Sequence, residues 1–101
     1  MTDAEGHPDV EEIDLVSVLT ALADPLRLQV VRDLLADEEG AERHCTSFGL
    51  PVSKSTRSHH FKVLRESGLI QQVDRGNSRM AQLRRADIDS RFPGLLSALI
   101  T

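Results

Sequence analysis

With 101 residues, 40% of them hydrophobic, the chain has material for one compact domain and none to spare for a separate catalytic or ligand-binding domain. No run approaches the roughly 18 apolar residues of a membrane span, residues 1–12 are acidic and unlike a secretory leader, and a lone Cys45 closes no internal disulfide, so the cytoplasm is the expected compartment. The net charge of −4 argues against a polyanionic partner until its distribution is read: residues 1–52 hold 12 acidic against 3 basic side chains, residues 53–85 hold 8 basic against 2 acidic.

In chain order, residues 1–12 offer one large apolar side chain, Val10, and read as a flexible acidic tail; residues 13–101 form the domain. Leu15, Val16, Leu19 and Leu22 recur at helical spacing up to Asp24-Pro25, giving a first helix of about ten residues beginning near Ile13. Asp24 then caps a second helix with Pro25 at its first position, where a missing N–H costs nothing, and Val30, Val31, Leu34 and Leu35 carry it to about Ala36. Between Ala41 and Pro51 the only apolar anchors are Cys45, Phe48 and Leu50, so at most a short helix is expected. Ser53 is a good cap for a helix over Lys54 to Ser67, which Gly68 closes. Two strand-like runs, Leu69 to Asp74 and Arg79 to Leu83, flank a Gly-Asn turn and predict a hairpin. Asp87 is placed to cap a short turn through Phe92, and Leu95, Leu96, Leu99 and Ile100 form a last apolar stripe. The fold class is therefore mainly α with a small β-hairpin, α+β.

The chemistry concentrates in the basic block. Lys54, Ser55, Thr56, Ser58, His59 and Lys62 lie away from Phe61 and Leu64, and short hydroxyls with an imidazole reach base edges while lysines hold phosphates. Arg75, Asn77 and Arg79 sit on the hairpin tip beside it, suited to a DNA backbone or minor groove. With three Phe and no Trp or Tyr, stacking platforms for single strands are scarce, which points to duplex DNA. A merely solvated charged face would leave the same charge block, and a protein-contact module would be less basic in helix and hairpin together.

At these residues the chain resembles the ArsR-type winged helix-turn-helix regulators. Ala21-Leu22-Ala23-Asp24-Pro25-Leu26-Arg27-Leu28 is similar to the family's ALADPTRL-like segment. Ser53 to Leu69 is similar to its recognition-helix pattern S-x-x-x-x-S-x-H-L-x-x-L-x-x-x-G-L, with Phe61 in place of Leu. The resemblance implies a winged helix-turn-helix acting as a homodimeric transcriptional repressor on a double-stranded DNA operator. Ser58, His59 and Lys62 then face the groove, and Leu15, Val16 and Leu19 meet Leu95, Leu96 and Leu99 of a second copy.

Three departures matter. Arg57, a candidate DNA contact, stands where many members have Val, four residues before Phe61 and so near the apolar stripe, where it either snorkels to a phosphate or tilts the helix. The region of the family's Cys-x-Cys pair reads Arg43-His44-Cys45-Thr46, and residues 86–101 hold no histidine for the other family metal site. No cofactor or metal is expected. His44 and Cys45, with His7 arriving from a partner's tail, are the only candidate ligands; a small half-buried thiol or a redox-reactive one are the other readings of Cys45. Neighbouring His59 and His60 point about 100° apart on a helix and cannot share one ion. An enzyme is not expected, since no nucleophile elbow, phosphate-cradling loop or nucleophile-base pair is present.

Overall fold

The computed structural model describes residues 2–100; Met1 and Thr101, at the outer ends of the expected tail and domain, lie outside them. The helix α1 spans Leu15–Leu22, starting two residues after Ile13 because Asp14 is the cap and accepts from the Ser17 N–H at 3.0 Å. The helix α2 is Pro25–Ala36, with the Asp24 carboxylate accepting from the N–H groups of Leu26 and Arg27 at 2.8 and 3.2 Å. Both junctions follow from local capping chemistry, which satisfies donors that a helix start leaves without partners.

The stretch expected to hold at most a short helix forms a strand instead, β1, Glu42–His44, followed by turns over residues 45–48. Its physical reason lies elsewhere in the chain. The middle strand of the sheet has an open edge, and β1 fills it, pairing Glu42 with Gln82 and His44 with Met80; the Cys45 N–H then reaches Arg79 O at 3.0 Å. Phe48 anchors the turns, 5% exposed and tilted against Phe61 with ring centroids 5.7 Å apart.

The helix α3 runs Lys54–Ser67, opened by Ser53, whose Oγ accepts from the Thr56 N–H at 3.2 Å, and closed by Gly68 in left-handed geometry at φ 90°. The strands β2, Ile70–Arg75, and β3, Ser78–Leu83, make an antiparallel hairpin with Arg75 opposite Ser78. Only Gly76 in its two-residue loop has positive φ, as a type II′ connection requires. The three-stranded sheet has the order β1-β3-β2. Two short helices follow, α4 over Arg85–Arg91 and α5 over Leu95–Ala98. Asp87 is not the cap of α4: Arg84 holds that position and donates to the Asp87 carboxylate at 3.0 Å.

Helices and sheet close over one core, with Val18, Val30, Val31, Leu64, Leu69, Ile70, Ala81 and Ile88 wholly buried. Each large side chain there contributes about 1.5–3 kcal/mol of burial. Leu96, expected at a dimer face, is 2% exposed and belongs to this core, because the turn at Gly94 aims α5 inward.

Residues 2–12, expected as a flexible tail, lie against the domain, with a single 3-10 turn at Val10–Glu12. Polar anchors replace the missing apolar ones. Three arginines, one on α3 and two at the opposite ends of α4, donate to carbonyls of the segment and of Ile13 after it: Arg65 to Glu5 O at 2.6 Å, Arg84 to Pro8 O at 2.7 Å and Arg91 to Ile13 O at 2.7 Å. The His7 ring accepts from the N–H of Gln72 on β2 at 3.0 Å, and Asp3 folds the loop by accepting from the N–H groups of Glu5 and His7.

Candidate nucleic-acid interface

Exposure divides α3 into faces. His60, Phe61, Leu64 and Ser67 are buried, while Ser55, Ser58, His59 and Lys62 are exposed at spacing i, i+3, i+4, i+7, one continuous stripe. Lys54 and Thr56 are exposed at the first turn. No acidic side chain stands on the stripe before Glu66, so its hydroxyls, imidazole and ammonium are presented to solvent with the positive end of the helix dipole behind them. His60 is held inward by its ring Nδ1, 3.1 Å from Arg27 Nη1, while Arg27 Nε donates to Ala21 O at 2.8 Å. That contact fixes α3 on α2. Nothing in the sequence marks Arg27 and His60 as a pair, since 33 positions separate them.

Between α3 and the hairpin lies a cleft of about 500 Å³, lined by Lys54, Arg57, Ser58, Arg65, Asn77 and Arg79, with Cys45 and Phe61 in its walls. Arg57 therefore stands on the cleft side of the helix and outside the apolar core. It lines the cleft together with Lys54, and neither makes an ion pair among the described residues. Arg65 was missed as a cleft residue; membership of the basic block was the one available signal.

The hairpin tip differs from expectation in its pairing. Arg75 is exposed, but Nη2 and Nε sit 2.8 and 3.1 Å from the two Glu42 oxygens, and this pairing raises the pKa of Arg75 while lowering that of Glu42. Arg79 meets Glu5 at 2.8 Å and Asp74 at 3.0 Å. Partial burial works against the charged form of Arg79, yet these two carboxylates carry its pKa upward. Asn77 stays exposed in the loop.

Of the apolar side chains expected at a dimer face, Leu15, Val16 and Leu19 are 43, 69 and 48% exposed, while Leu95 and Leu99 are half-buried against the core. Ile100, at the end of the last apolar stripe, is exposed as well.

Residues 24–72 match the sequence profile described as Bacterial regulatory protein, arsR family. The chain is 33% identical over 84 residues to the uncharacterized HTH-type transcriptional regulator YceK of Bacillus subtilis (strain 168), covering 81% of this chain and 82% of that one. The chain belongs to the ArsR family. Its fold is likewise similar to a crystallised ArsR family transcriptional regulator, with TM-score 0.67 at 20% identity over 83% of this chain and 90% of that one. The transcriptional repressor BigR from Xylella fastidiosa is similar with TM-score 0.64 at 24% identity, over 84% of this chain and 81% of that one.

In this ArsR-family, DNA-binding transcription regulator the winged helix-turn-helix fold comprises α3 and, as its wing, the β2–β3 hairpin. The turns over residues 45–48 stand shortly before α3. Cys45 lies under the cleft, 9% exposed, and burial pushes its thiol up; Gln72 Nε2 donates to its Sγ at 3.4 Å. His44 is exposed on β1, and His7 spends its ring on Asp3 and Gln72. Among the described residues no three His, Cys, Asp or Glu side chains converge as a metal would need. No helix among them is long and apolar enough to cross a membrane.

Proposed function

We propose that the chain is a homodimeric, cytoplasmic repressor that seats α3 of each copy in successive major grooves of a duplex operator and lets go on a signal. The observation that carries this reading is the exposed stripe Ser55, Ser58, His59 and Lys62 on a helix whose opposite face is locked into the core. Ser58 and His59 read base edges; Lys54, Arg57, Lys62 and the wing residues Arg75, Asn77 and Arg79 hold the backbone. The likeness to BigR, a transcriptional repressor, supports the sign of regulation. The exposed apolar side chains Leu15, Val16 and Leu19 support a second copy, joined by Leu95 and Leu99.

The operator is then an imperfect inverted repeat with half-sites about one helical turn, roughly 34 Å, apart. Fluorescence anisotropy on the DNA upstream of its own gene and on random duplex tests this. Ser58→Ala and His59→Ala are each expected to reduce the operator-to-random discrimination by about 1–3 kcal/mol, the worth of reading one base edge, leaving random-sequence binding unchanged. An unchanged ratio in both variants overturns the assignment of α3 as the reading element.

A further inference from the structure

The wing arginine nearest the cleft is occupied by the chain's own N-terminal segment. Glu5 Oε2 lies 2.8 Å from Arg79 Nη2, and Glu5 also places its carbonyl 2.6 Å from Nε of Arg65, a second cation of the same cleft. This placement is built from both sides. Upstream, the Asp3 carboxylate accepts from the Glu5 and His7 N–H groups at 2.9 Å. Downstream, His7 and Pro8 are held by Gln72 and Arg84. A carboxylate fixed on a guanidinium presents the same charge and acceptor geometry as a phosphate oxygen.

We propose that residues 3–8 act as an acidic strap, an internal competitor that must lift Glu5 from Arg79 before the wing takes hold of a DNA phosphate. The proposal rests on the reading of the wing as a DNA contact. Lys54, Arg57 and Lys62, which carry no such partner among the described residues, make the first electrostatic contact, and the strap withholds Arg79 until the duplex is seated. An exposed ion pair of this kind is weak, so the device tunes affinity rather than abolishing it.

The test measures binding of the full chain to a labelled random-sequence duplex at low salt for wild type, Glu5→Gln, Glu11→Gln, Arg79→Ala and the double variant Glu5→Gln with Arg79→Ala. Glu11→Gln removes the same charge from the same segment at an exposed position with no arginine partner among the described residues. Glu5→Gln keeps the carbonyl bond to Arg65, and Glu5→Ala serves as a second variant with the same expectation. The strap predicts that Glu5→Gln tightens binding about two- to fivefold, that Glu11→Gln stays nearer wild type, and that Arg79→Ala weakens binding and abolishes the gain. An equal gain from Glu11→Gln, a gain that persists without Arg79, or no gain at all overturns the strap. If Arg79→Ala leaves DNA binding untouched, the wing reading fails and the strap with it; if Arg79→Ala weakens binding while Glu5→Gln is silent, only the strap fails.

Discussion

Asp24 joins three tasks in one side chain. It caps α2, it stands beside the Arg27–His60 contact that seats α3, and it precedes the proline at the first helical position. Burial works against its charged form, but the Arg27 and Leu26 N–H groups, with the His60 ring and the Arg27 guanidinium nearby, hold its carboxyl below the ordinary carboxylate range. A depressed folded-state pKa means stability that is present above the unfolded value, near 4, and lost as pH falls through the lower folded value. Asp24→Ala is expected to cost about 0.5–2 kcal/mol at pH 7, the worth of a helix cap. Asp24→Asn keeps a good cap and loses only the pH dependence. Urea melts at pH 7 and pH 3 check this: the gap between wild type and Asp24→Asn should close at the lower pH. The capping role was legible, because Asp-Pro before an apolar helical repeat has one sensible local reading. The contact with His60 was not, because it depends on where α3 lands.

Among elements, α3 was legible from end to end because its signals are all local: Ser53 at the start, Gly68 at the close and an apolar face between them. Gly68 also does something that no local pattern reveals. A Cβ there would lie 2.6 Å from Cγ1 and 2.9 Å from Cδ1 of Ile13, which is 1% exposed and packed into the core. Gly68→Ala therefore combines left-handed strain, about 1–2 kcal/mol, with an overpacking cost of about 1–3 kcal/mol. Gly76→Ala in the wing meets nothing within 4 Å and carries the strain alone. Equilibrium urea unfolding of the two variants should rank Gly68→Ala as the more damaging; equal losses would mean that Ile13 moves aside. By contrast β1 was not legible. Glu42-Arg43-His44 has no strand-like alternation of its own, and it is a strand because β3 offers an unpaired edge.

For the whole molecule, the decisive surface is the apolar one that α1 leaves uncovered. Val16 is 69% exposed and Leu19 48%, side chains of the kind that mark a protein contact when they lie together. Leu19→Glu should leave the fold intact, since the side chain is outside the core, and should convert the expected dimer to a monomer in sedimentation at tens of micromolar. Operator affinity should fall with it, because a monomer presents one recognition helix instead of two. A wild-type chain that sediments as a monomer without DNA would remove the dimer from the proposed function. Leu96 shows the limit of the stripe argument: it shares helical spacing with Leu95 and Leu99, yet only the direction of α5 after Gly94 decides that it is core.

What the sequence alone determined was whatever depends on neighbours within a few positions: the caps at Asp24 and Ser53, the terminator at Gly68, the turn at Gly76, and the polar stripe of α3. These act over one or two helical turns, where chain connectivity already sets the distance. The tertiary structure decided the rest, namely which carboxylate each arginine meets. Arg75 finds Glu42, Arg79 finds Glu5 and Asp74, and Arg65, Arg84 and Arg91 find the carbonyls that order residues 2–13. A guanidinium on a long flexible stem has no sequence-local preference among acceptors. Its partner is set by which segments the closed core brings within reach, and in this chain that choice determines how much of the basic block is left to face DNA.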